Sequence, residues 1–383
     1  MIVAQQTWTA QSGWRQVVDT LEQRQPHLIL VFGARAGLEA SQVISRFESL
    51  HPDAILVGCS TAGEIEGTQV HDGSVVATLI HFEKTRIAAS EALVTSAEDS
   101  RAAGEQLARQ LSQQPDLVNL RHVLVLSDGL NVNGTTLAQS LRQNLPAHVA
   151  VTGGLAGDGD QFASTRVVMN GTVKDKRVVA IGLYGDHLTI GYGSLGGWDS
   201  FGPQRMVTKS EGNVLYELDG QSALDLYKQY LGSHAADLPG SALLFPLSIH
   251  APDDETNLVR TVLSIDEVNK SMMFAGDIPQ GHYARLMKAN CDRLVDGAAG
   301  AATNGRQRLG DARAELAILI SCVGRKLVLK QRVEEEVEAV REVLGDQAVL
   351  TGFYFYGEIC PSGAFTQCDL HNQTMTITTL SES

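Results

Sequence analysis

Short apolar runs alternate with amphipathic windows along this chain, and this alternation restricts the fold more than any other feature of the sequence. Runs of strand length recur through all 383 residues, and in the windows between several of them apolar residues are spaced with a period near 3.6. Many of the runs end at glycines, of which the chain has 37. This order predicts an α/β protein of two related halves, with mixed β-sheets that helices cover.

The positions of the elements follow from the same two periods. The predicted strands are Leu28–Phe32, Ala54–Gly58, Val75–Phe82, His122–Ser127, Val149–Gly153, Val178–Tyr184, Leu243–Leu247, Leu258–Ile265, Ser271–Ala275, Glu315–Cys322, Ala348–Phe355 and Met375–Leu380. The predicted helices are Ser41–Leu50, Ser100–Gln110, Thr135–Leu145, Ala223–Leu231, Tyr283–Gly297 and Val333–Leu344.

A glycine-rich frame recurs at distant places in the chain. The segments Leu56–Ile65 and Leu350–Ile359 share the frame L-x-G-x-x-x-x-G-E-I, and Val151–Asp158 is a looser third copy. Each copy follows an apolar strand, so we expect a strand-end turn where glycine permits close backbone approach or a positive φ. The repetition predicts that Gly58 with Gly63, and Gly352 with Gly357, occupy equivalent strand-end positions in two superposable halves.

The joint between the halves is expected near residues 205–222, where a polar stretch precedes the helix that starts at Ala223. The corresponding division is an N-terminal extension over 1–27, an N-terminal domain over 28–210 and a C-terminal domain over 211–383. Because no low-complexity linker marks the joint, we expect the two halves to pack against each other.

Charge and composition exclude several classes of function. The formal net charge is -14, and the only dense basic stretch surrounds Gly324–Leu327, so nucleic acid is not expected as a partner. No apolar run approaches the ~20 residues needed to cross a bilayer, and the N-terminus lacks a signal-peptide core. We therefore expect a cytoplasmic protein that does not enter a membrane.

Catalytic signatures are missing from the sequence. It has no Walker A pattern, no strand–GxGxxG–helix fingerprint, no GxSxG elbow and no HExxH motif, so an enzyme is not expected. The five cysteines form no CxxC pair, which predicts free thiols. Catalysis through Cys59, in a turn expected to be exposed with Ser60, or through Cys360 is an alternative.

The recurring segments resemble the FIST sensory family. The matching N-terminal segments are Gly58–Glu64, Thr152–Asp158 and Gly182 in the strand that follows. The matching C-terminal segments are Pro246-Leu247, Leu258–Arg260, Phe274–Pro279, Leu286-Met287, Ser321–Arg325 and Gly352–Ile359. The resemblance covers about residues 25–365, and it implies a ligand sensor that carries no output domain of its own.

Within that family the chain resembles a subset of haem-binding proteins that sense nitric oxide. The resemblance implies haem as cofactor, nitric oxide as ligand, and regulation of a histidine kinase or a cyclic-di-GMP enzyme in trans. The assembly state stays open, with a homodimer among the alternatives. The competing hypothesis is a FIST sensor that binds a small polar metabolite without haem.

His282 is the residue expected to ligate the haem iron. It follows Pro279 and Gly281, which end a strand, and it precedes Tyr283 at the start of the predicted helix. These three residues and Arg285 are expected to bind the cofactor together with His282. The positive end of a helix dipole would favour the neutral imidazole that binds iron, and with Arg285 it would attract a propionate.

Two other residues are alternative ligands. Cys360 belongs to a Cys-Pro pair, and His250 begins a polar loop that includes Asp253, Asp254 and Glu255. The remaining histidines in or beside apolar strands are expected to be structural: His81, His122 and His187.

Overall fold

The protein is described by a computed structural model that covers residues 1–238, 240–253, 257–362 and 367–383. Over these residues it is an α/β protein with mixed sheets covered by helices, which confirms the predicted fold class. The first part of the chain contains β1 Ile2–Thr9, β2 Gly13–Val18, β3 Leu28–Gly33, α1 Arg35–Glu39, α2 Ser41–Leu50, β4 Ile55–Ser60, β5 Glu64–Glu66, β6 Gln69–His71 and β7 Val75–His81.

The middle of the chain continues the alternation and then becomes rich in strands. It contains β8 Arg86–Leu93, α3 Ser100–Ser112, β9 Leu120–Ser127, α4 Gly134–Asn144, β10 Ala150–Leu155, β11 Val167–Met169, β12 Thr172–Lys174, β13 Arg177–Tyr184 and β14 Leu188–Leu195. There follow β15 Asp199–Glu211, β16 Val214–Leu218, β17 Gln221–Ser222, α5 Ala223–Leu231, β18 Leu247–His250, β19 Leu258–Arg260, β20 Val262–Asp266, β21 Ser271–Phe274 and β22 Tyr283–Lys288.

The last part returns to strands joined by helices. It contains α6 Cys291–Arg308, β23 Leu316–Cys322, α7 Val323–Leu329, α8 Val333–Leu344, β24 Val349–Phe355, β25 Gly357–Ser362, β26 Gln367–His371 and β27 Met375–Glu382. Among the helices of the described residues, none is both long and apolar enough to cross a membrane.

One four-stranded unit occurs three times in the part of the chain that the structure describes. Its strand orders are β4-β3-β7-β1, β10-β9-β13-β8 and β24-β23-β27-β14. In each unit the first two strands are parallel and are joined through helices, and the other two are antiparallel to their neighbours. We call the three units the body of the protein.

The glycine frame marks the same position in each unit. A Cβ atom on Gly58, Gly153 or Gly352 would lie 1.8, 2.0 or 1.9 Å from a carbonyl oxygen of the adjacent parallel strand. Only glycine permits this approach of two backbones. The predicted equivalence of Gly58 and Gly352 is confirmed, with Gly153 as the third copy. The glycines lie inside strands, however, and not in the expected turns.

Backbone hydrogen bonds close the three units into a ring. In each bond, the donor N–H belongs to the residue four positions after the frame glycine of its own unit. The acceptor carbonyl belongs to the residue two positions after the frame glycine of another unit. The bonds run from Gly157 N to Ser60 O, from Tyr356 N to Leu155 O and from Ala62 N to Tyr354 O, over 2.9, 3.2 and 2.7 Å. Each unit is therefore tied to the other two where its parallel strands end.

Residues 199–288 form a separate lobe that is inserted into the third unit, between β14 and α6. Its eight-stranded sheet has the order β19-β18-β22-β15-β16-β21-β20, with β17 beside β16, and it has its own apolar core with α5. The side of this lobe that faces the body carries the residues described next.

The structure contradicts one predicted helix, one predicted strand and the predicted exposure of one turn. Tyr283–Lys288 is the strand β22, in which Ala284 and Leu286 are buried and their neighbours are not, and this alternation has the period of a strand. The helix begins only at Cys291, where the preceding Asn290 caps it by accepting a hydrogen bond from the Arg293 N–H.

Residues 240–244 form a 3₁₀ turn, so the strand expected from residue 243 starts at 247. Cys59 and Ser60, expected in an exposed turn, are fully buried at the end of β4.

Candidate ligand-binding site

A cavity of about 260 Å³ lies between the lobe and the body. The lobe contributes Ile249, His250, Ala251, Leu258, Arg260, Asp277, Pro279 and His282, and the body contributes Thr135 and Gln139 from α4 and Asp369 from β26. We call it the Arg260 cavity. Because its two walls belong to separate apolar cores, a molecule bound here contacts both parts of the protein.

Arg260, the last residue of β19, is the buried cation of this cavity. Only 2% of its surface is exposed. Its Nε donates to the Asp277 carbonyl oxygen over 3.1 Å and its Nη1 to the Leu370 carbonyl oxygen over 2.8 Å. Burial lowers the pKa of Arg260 to about 10. Because this pKa is still well above 7, the guanidinium stays charged at neutral pH. A Cβ atom on Gly276 would lie 2.9 Å from Nε, so glycine makes room for this side chain.

Carboxylates surround this guanidinium without forming an ion pair with it among the described residues. Asp369, Asp277 and Glu358 each favour its charged form and oppose the effect of burial on its pKa. The Oδ1 of Asp277 accepts a hydrogen bond of 3.2 Å from Asn133, whose own Oδ1 caps α4 by accepting from the Thr136 N–H. The lobe and α4 are therefore connected beside the cavity.

His282 lines the cavity from the turn that precedes β22. Gly281 has a φ of +86° there, and its N–H donates to the Val207 carbonyl oxygen over 2.9 Å. Burial lowers the pKa of His282, nearby His250 lowers it further, and a hydrogen bond with the Gln280 backbone acts in the opposite direction. A lowered pKa favours the neutral imidazole, and its main cause is burial; the predicted helix start is absent here, because His282 precedes the strand β22.

His250 lines the same cavity, and both of its ring nitrogens already have partners. Its Nδ1 lies 2.8 Å from the Ala251 carbonyl oxygen and its Nε2 lies 2.9 Å from Gln204 Nε2. Since a carbonyl only accepts, Nδ1 carries the proton and Nε2 accepts from the Gln204 amide. Of the acidic residues expected beside His250, Asp254 and Glu255 lie outside the described residues.

The other predicted site residues are divided between this cavity and its surroundings. Pro279 lines the cavity. Tyr283 lies opposite His250 in the sheet, with ring centroids 5.5 Å apart. Arg285 is exposed, donates to the Gly202 carbonyl oxygen over 2.9 Å and lines a neighbouring groove of about 400 Å³. It is therefore not placed to bind a propionate beside His282.

The two cysteines considered as reactive groups are both fully buried. Burial raises the pKa of Cys360 to about 12 and also raises that of Cys59, so both remain protonated thiols at neutral pH. Across the described residues, no group of three or more His, Cys, Asp or Glu side chains is arranged to hold a metal ion.

The residues of this cavity fit a small polar ligand better than a haem. Small-molecule pockets usually enclose about 300–1,000 Å³, and this cavity is smaller. Its walls carry a buried guanidinium and two carboxylates, whereas a porphyrin needs a wide apolar slot. His282 supplies a suitable imidazole, but the described walls do not fit the macrocycle.

Sequence reasoning missed the most important residue of this site. Arg260 appears in the sequence within the apolar run Leu258–Ile265, and a charged residue inside a predicted buried strand is the signal that singles it out. Asp277 and Asp369 carry no comparable signal, because they come together only where the lobe meets the body.

Comparison with protein families agrees with the quoted motifs. The FIST N domain matches residues 27–221 and the FIST C domain matches residues 223–361. The chain belongs to the FIST family. FIST domains are sensory, ligand-binding domains, and the Arg260 cavity is lined mainly by the FIST C domain, with Thr135 and Gln139 from the FIST N domain.

Similarity to individual proteins is weak. The crystal structure of cyanuric acid hydrolase from A. caulinodans has a TM-score of 0.39 and 10% identity over 100% of this chain and 99% of that chain. The structure of PurLQS from Thermotoga maritima has a TM-score of 0.17 and 8% identity over 94% of this chain and 66% of that one. No curated protein matches the chain. Both TM-scores are too low to support an argument about this FIST protein.

Proposed function

We propose that this FIST protein senses a small polar ligand that carries a carboxylate and binds in the Arg260 cavity. The observation that carries the proposal is the buried guanidinium of Arg260, which lines a cavity and donates to backbone carbonyls but to no described carboxylate. A guanidinium offers paired N–H donors that match the two oxygens of a carboxylate. A ligand carboxylate would add a direct ion pair to a guanidinium whose described hydrogen bonds go to backbone carbonyls.

The other walls suggest what else the ligand carries. Asp277 and Asp369 are suited to an ammonium group, and the Gln139 amide and Thr135 hydroxyl offer neutral hydrogen bonds. A molecule of amino-acid size with both charges would satisfy the walls within about 260 Å³. Neutral His282 can donate or accept without adding charge.

Binding would be transmitted through the contact between lobe and body. A ligand held by Arg260 of the lobe and Gln139 of α4 favours the arrangement in which these groups are close, and it shifts the equilibrium by its differential affinity for the two arrangements. The proposed recipient is a histidine kinase or a cyclic-di-GMP enzyme acting in trans. With a net charge of -14, binding to such a partner should weaken as salt rises.

Thermal shift with single amino acids and small dicarboxylates tests the proposal. A ligand at 100 times its Kd stabilises the native state by about 2.7 kcal/mol, which raises Tm measurably. We expect Arg260→Gln to remove this increase and Arg285→Gln, in the neighbouring groove, to keep it.

Because Arg260 also connects the lobe to the body, Asp277→Asn is the second variant, and circular dichroism checks that both variants fold. An increase in Tm that is retained in folded Arg260→Gln, or is lost equally in Arg285→Gln, contradicts the assignment of the site.

Haem-dependent sensing of nitric oxide is the second candidate function. The observation that favours it is that two imidazoles, those of His282 and His250, line one cavity, and the neutral form of His282 is the one that ligates iron. When bound, haem would supply the coordination site for nitric oxide. This candidate requires the lobe and body to separate, since the described cavity does not accommodate the macrocycle.

Absorption spectra after titration with haemin distinguish the two candidates. A saturable Soret band that shifts with nitric oxide, is lost in His282→Ala and is kept in the exposed control His187→Ala would favour haem. A spectrum unchanged by either substitution removes His282 from the candidate ligands.

A further inference from the structure

A second cavity, of about 360 Å³, lies on another part of the body, where β9 and β10 begin beside β14 and the end of α6. Its basic lining residues are Arg121, His122, His148 and Arg308, and its apolar lining residues are Ala150, Leu188, Ile190 and Tyr192. It shares no lining residue with the Arg260 cavity. We call it the Arg308 cavity.

The charge of this cavity is opposite to that of the whole chain. The chain carries 44 acidic and 30 basic residues, yet no acidic side chain is among the described residues that line the cavity. The Arg308 guanidinium carbon lies 4.3 Å from the centroid of the Tyr192 ring, a distance at which the ring holds the cation in place. A fixed guanidinium with a second arginine at the rim provides strong donors for an anion.

Hydrogen bonds inside the body leave one ring nitrogen of a lining residue without a partner. The Thr378 hydroxyl donates to Thr152 Oγ1 over 2.7 Å, and Thr152 Oγ1 lies 2.8 Å from His122 Nε2. Thr152 keeps its own proton for a hydrogen bond to Nε2, and in that arrangement the proton of the neutral His122 ring is on Nδ1. His122 is 1% exposed, and its Nδ1 has no partner among the described residues.

An unpaired buried N–H is unusual, because nearly all buried polar groups have a partner. His122 was expected from the sequence to be a structural histidine, and its hydrogen bond with Thr152 agrees with that role. The unpaired Nδ1 is not explained by it. A polar group of a ligand bound beside His122 would give this nitrogen a partner.

The apolar side of the cavity limits the kind of anion. Leu188, Ile190 and Tyr192 alternate along β14, so their side chains lie on one face of the strand, and all three line the cavity. We propose that the Arg308 cavity binds a small organic anion, with its phosphate or carboxylate group between the arginines and a flat apolar part against β14. The volume lies within the usual range for small-molecule sites.

Isothermal titration calorimetry at fixed ionic strength tests this site on the full chain. The probes are phenyl phosphate, benzoate and inorganic phosphate. Phenyl phosphate or benzoate should bind more tightly than inorganic phosphate, and the tighter of the two identifies the preferred anionic group. We expect Arg121→Gln to lower the association constant about tenfold, since charge-assisted hydrogen bonds contribute on that scale.

Arg109→Gln is the matched control, because it removes the same charge from an exposed position on α3. Arg308→Gln and His122→Phe, checked for folding by circular dichroism, should weaken binding. Failure of all three probes to bind the wild type overturns the proposal. Equal weakening by Arg109→Gln and Arg121→Gln overturns it as well, since only general charge would then be responsible.

Discussion

Glu64 provides a quantitative test of the electrostatics in the body. It is 1% exposed, in β5, and accepts hydrogen bonds from Thr61 Oγ1 over 2.5 Å, from the Ser74 N–H over 3.1 Å and from Ser74 Oγ over 2.7 Å. Burial raises its pKa to about 7, and these hydrogen bonds together with the nearby charge of Lys326 limit the increase. The carboxyl is therefore partly protonated in the native state at neutral pH.

The sign and size of the effect on stability follow from this shift. The native pKa is higher than the value of 4.5 for an unperturbed glutamate, so the native state binds the proton more tightly than the unfolded state does. Glu64 therefore destabilises the native state progressively as pH rises from about 4.5 to about 7, and the loss is then complete. At about 1.4 kcal/mol for each pKa unit, it amounts to roughly 3 kcal/mol.

Comparison with Glu64→Gln isolates this contribution. The wild-type free energy of unfolding, relative to that of the variant, should fall by roughly 3 kcal/mol between pH 4.5 and pH 8. Urea unfolding followed by tryptophan fluorescence measures the difference, and carbon-13 NMR of labelled glutamate measures the pKa directly. Glu105→Gln, at an exposed position of α3, is the control and should show no such trend. A difference between wild type and Glu64→Gln that is independent of pH would refute the reasoning.

Two further comparisons of variants test the packing of the third unit. Gly352→Ala should destabilise the protein by more than about 2 kcal/mol, because its Cβ would lie 1.9 Å from the Leu319 carbonyl oxygen. A Cβ atom on Gly305 in α6 would have no contact closer than 3.5 Å, so Gly305→Ala should be neutral or stabilising in urea unfolding. Equal effects of Gly352→Ala and Gly305→Ala would contradict the steric argument. Arg325→Met should cost about 3–5 kcal/mol by leaving the fully buried Glu336 without its partner at 2.7 Å. The double variant Arg325→Met/Glu336→Gln should regain part of the lost free energy of unfolding. If it is no more stable than Arg325→Met alone, the unpaired charge of Glu336 is not the cause of the loss.

The elements that could be predicted are those whose signals are local. Helices α2, α5 and α8 have the predicted bounds, because an apolar face with a period of 3.6 is present in the sequence itself. Near residue 283 two local signals compete. The apolar residues from Tyr283 onward also fit a helical stripe, and pairing with β15 and β18 decides in favour of a strand. Such pairing is a tertiary contact that no short window of sequence contains.

The candidate site was predictable in part for the same reason. His282, His250 and Pro279 were selected by residue type and by the breaks in structure around them, and all three line one cavity. The sequence presents His282 and His250 as alternative ligands, however, because it does not show that they come together. The role of Arg260 depends on its burial between two cores, which only the packed lobe and body produce.

The sequence by itself determined the α/β class, the positions of most of the elements that it predicted and the equivalence of the frame glycines, since each signal is contained in segments of about ten residues. The tertiary structure decided that three units close into a ring, that a lobe is inserted into the third, and that cavities form where these parts meet. Those features depend on hydrogen bonds and buried charges between residues far apart in the chain. Their free energy exists only once the chain has brought these groups together and removed them from water.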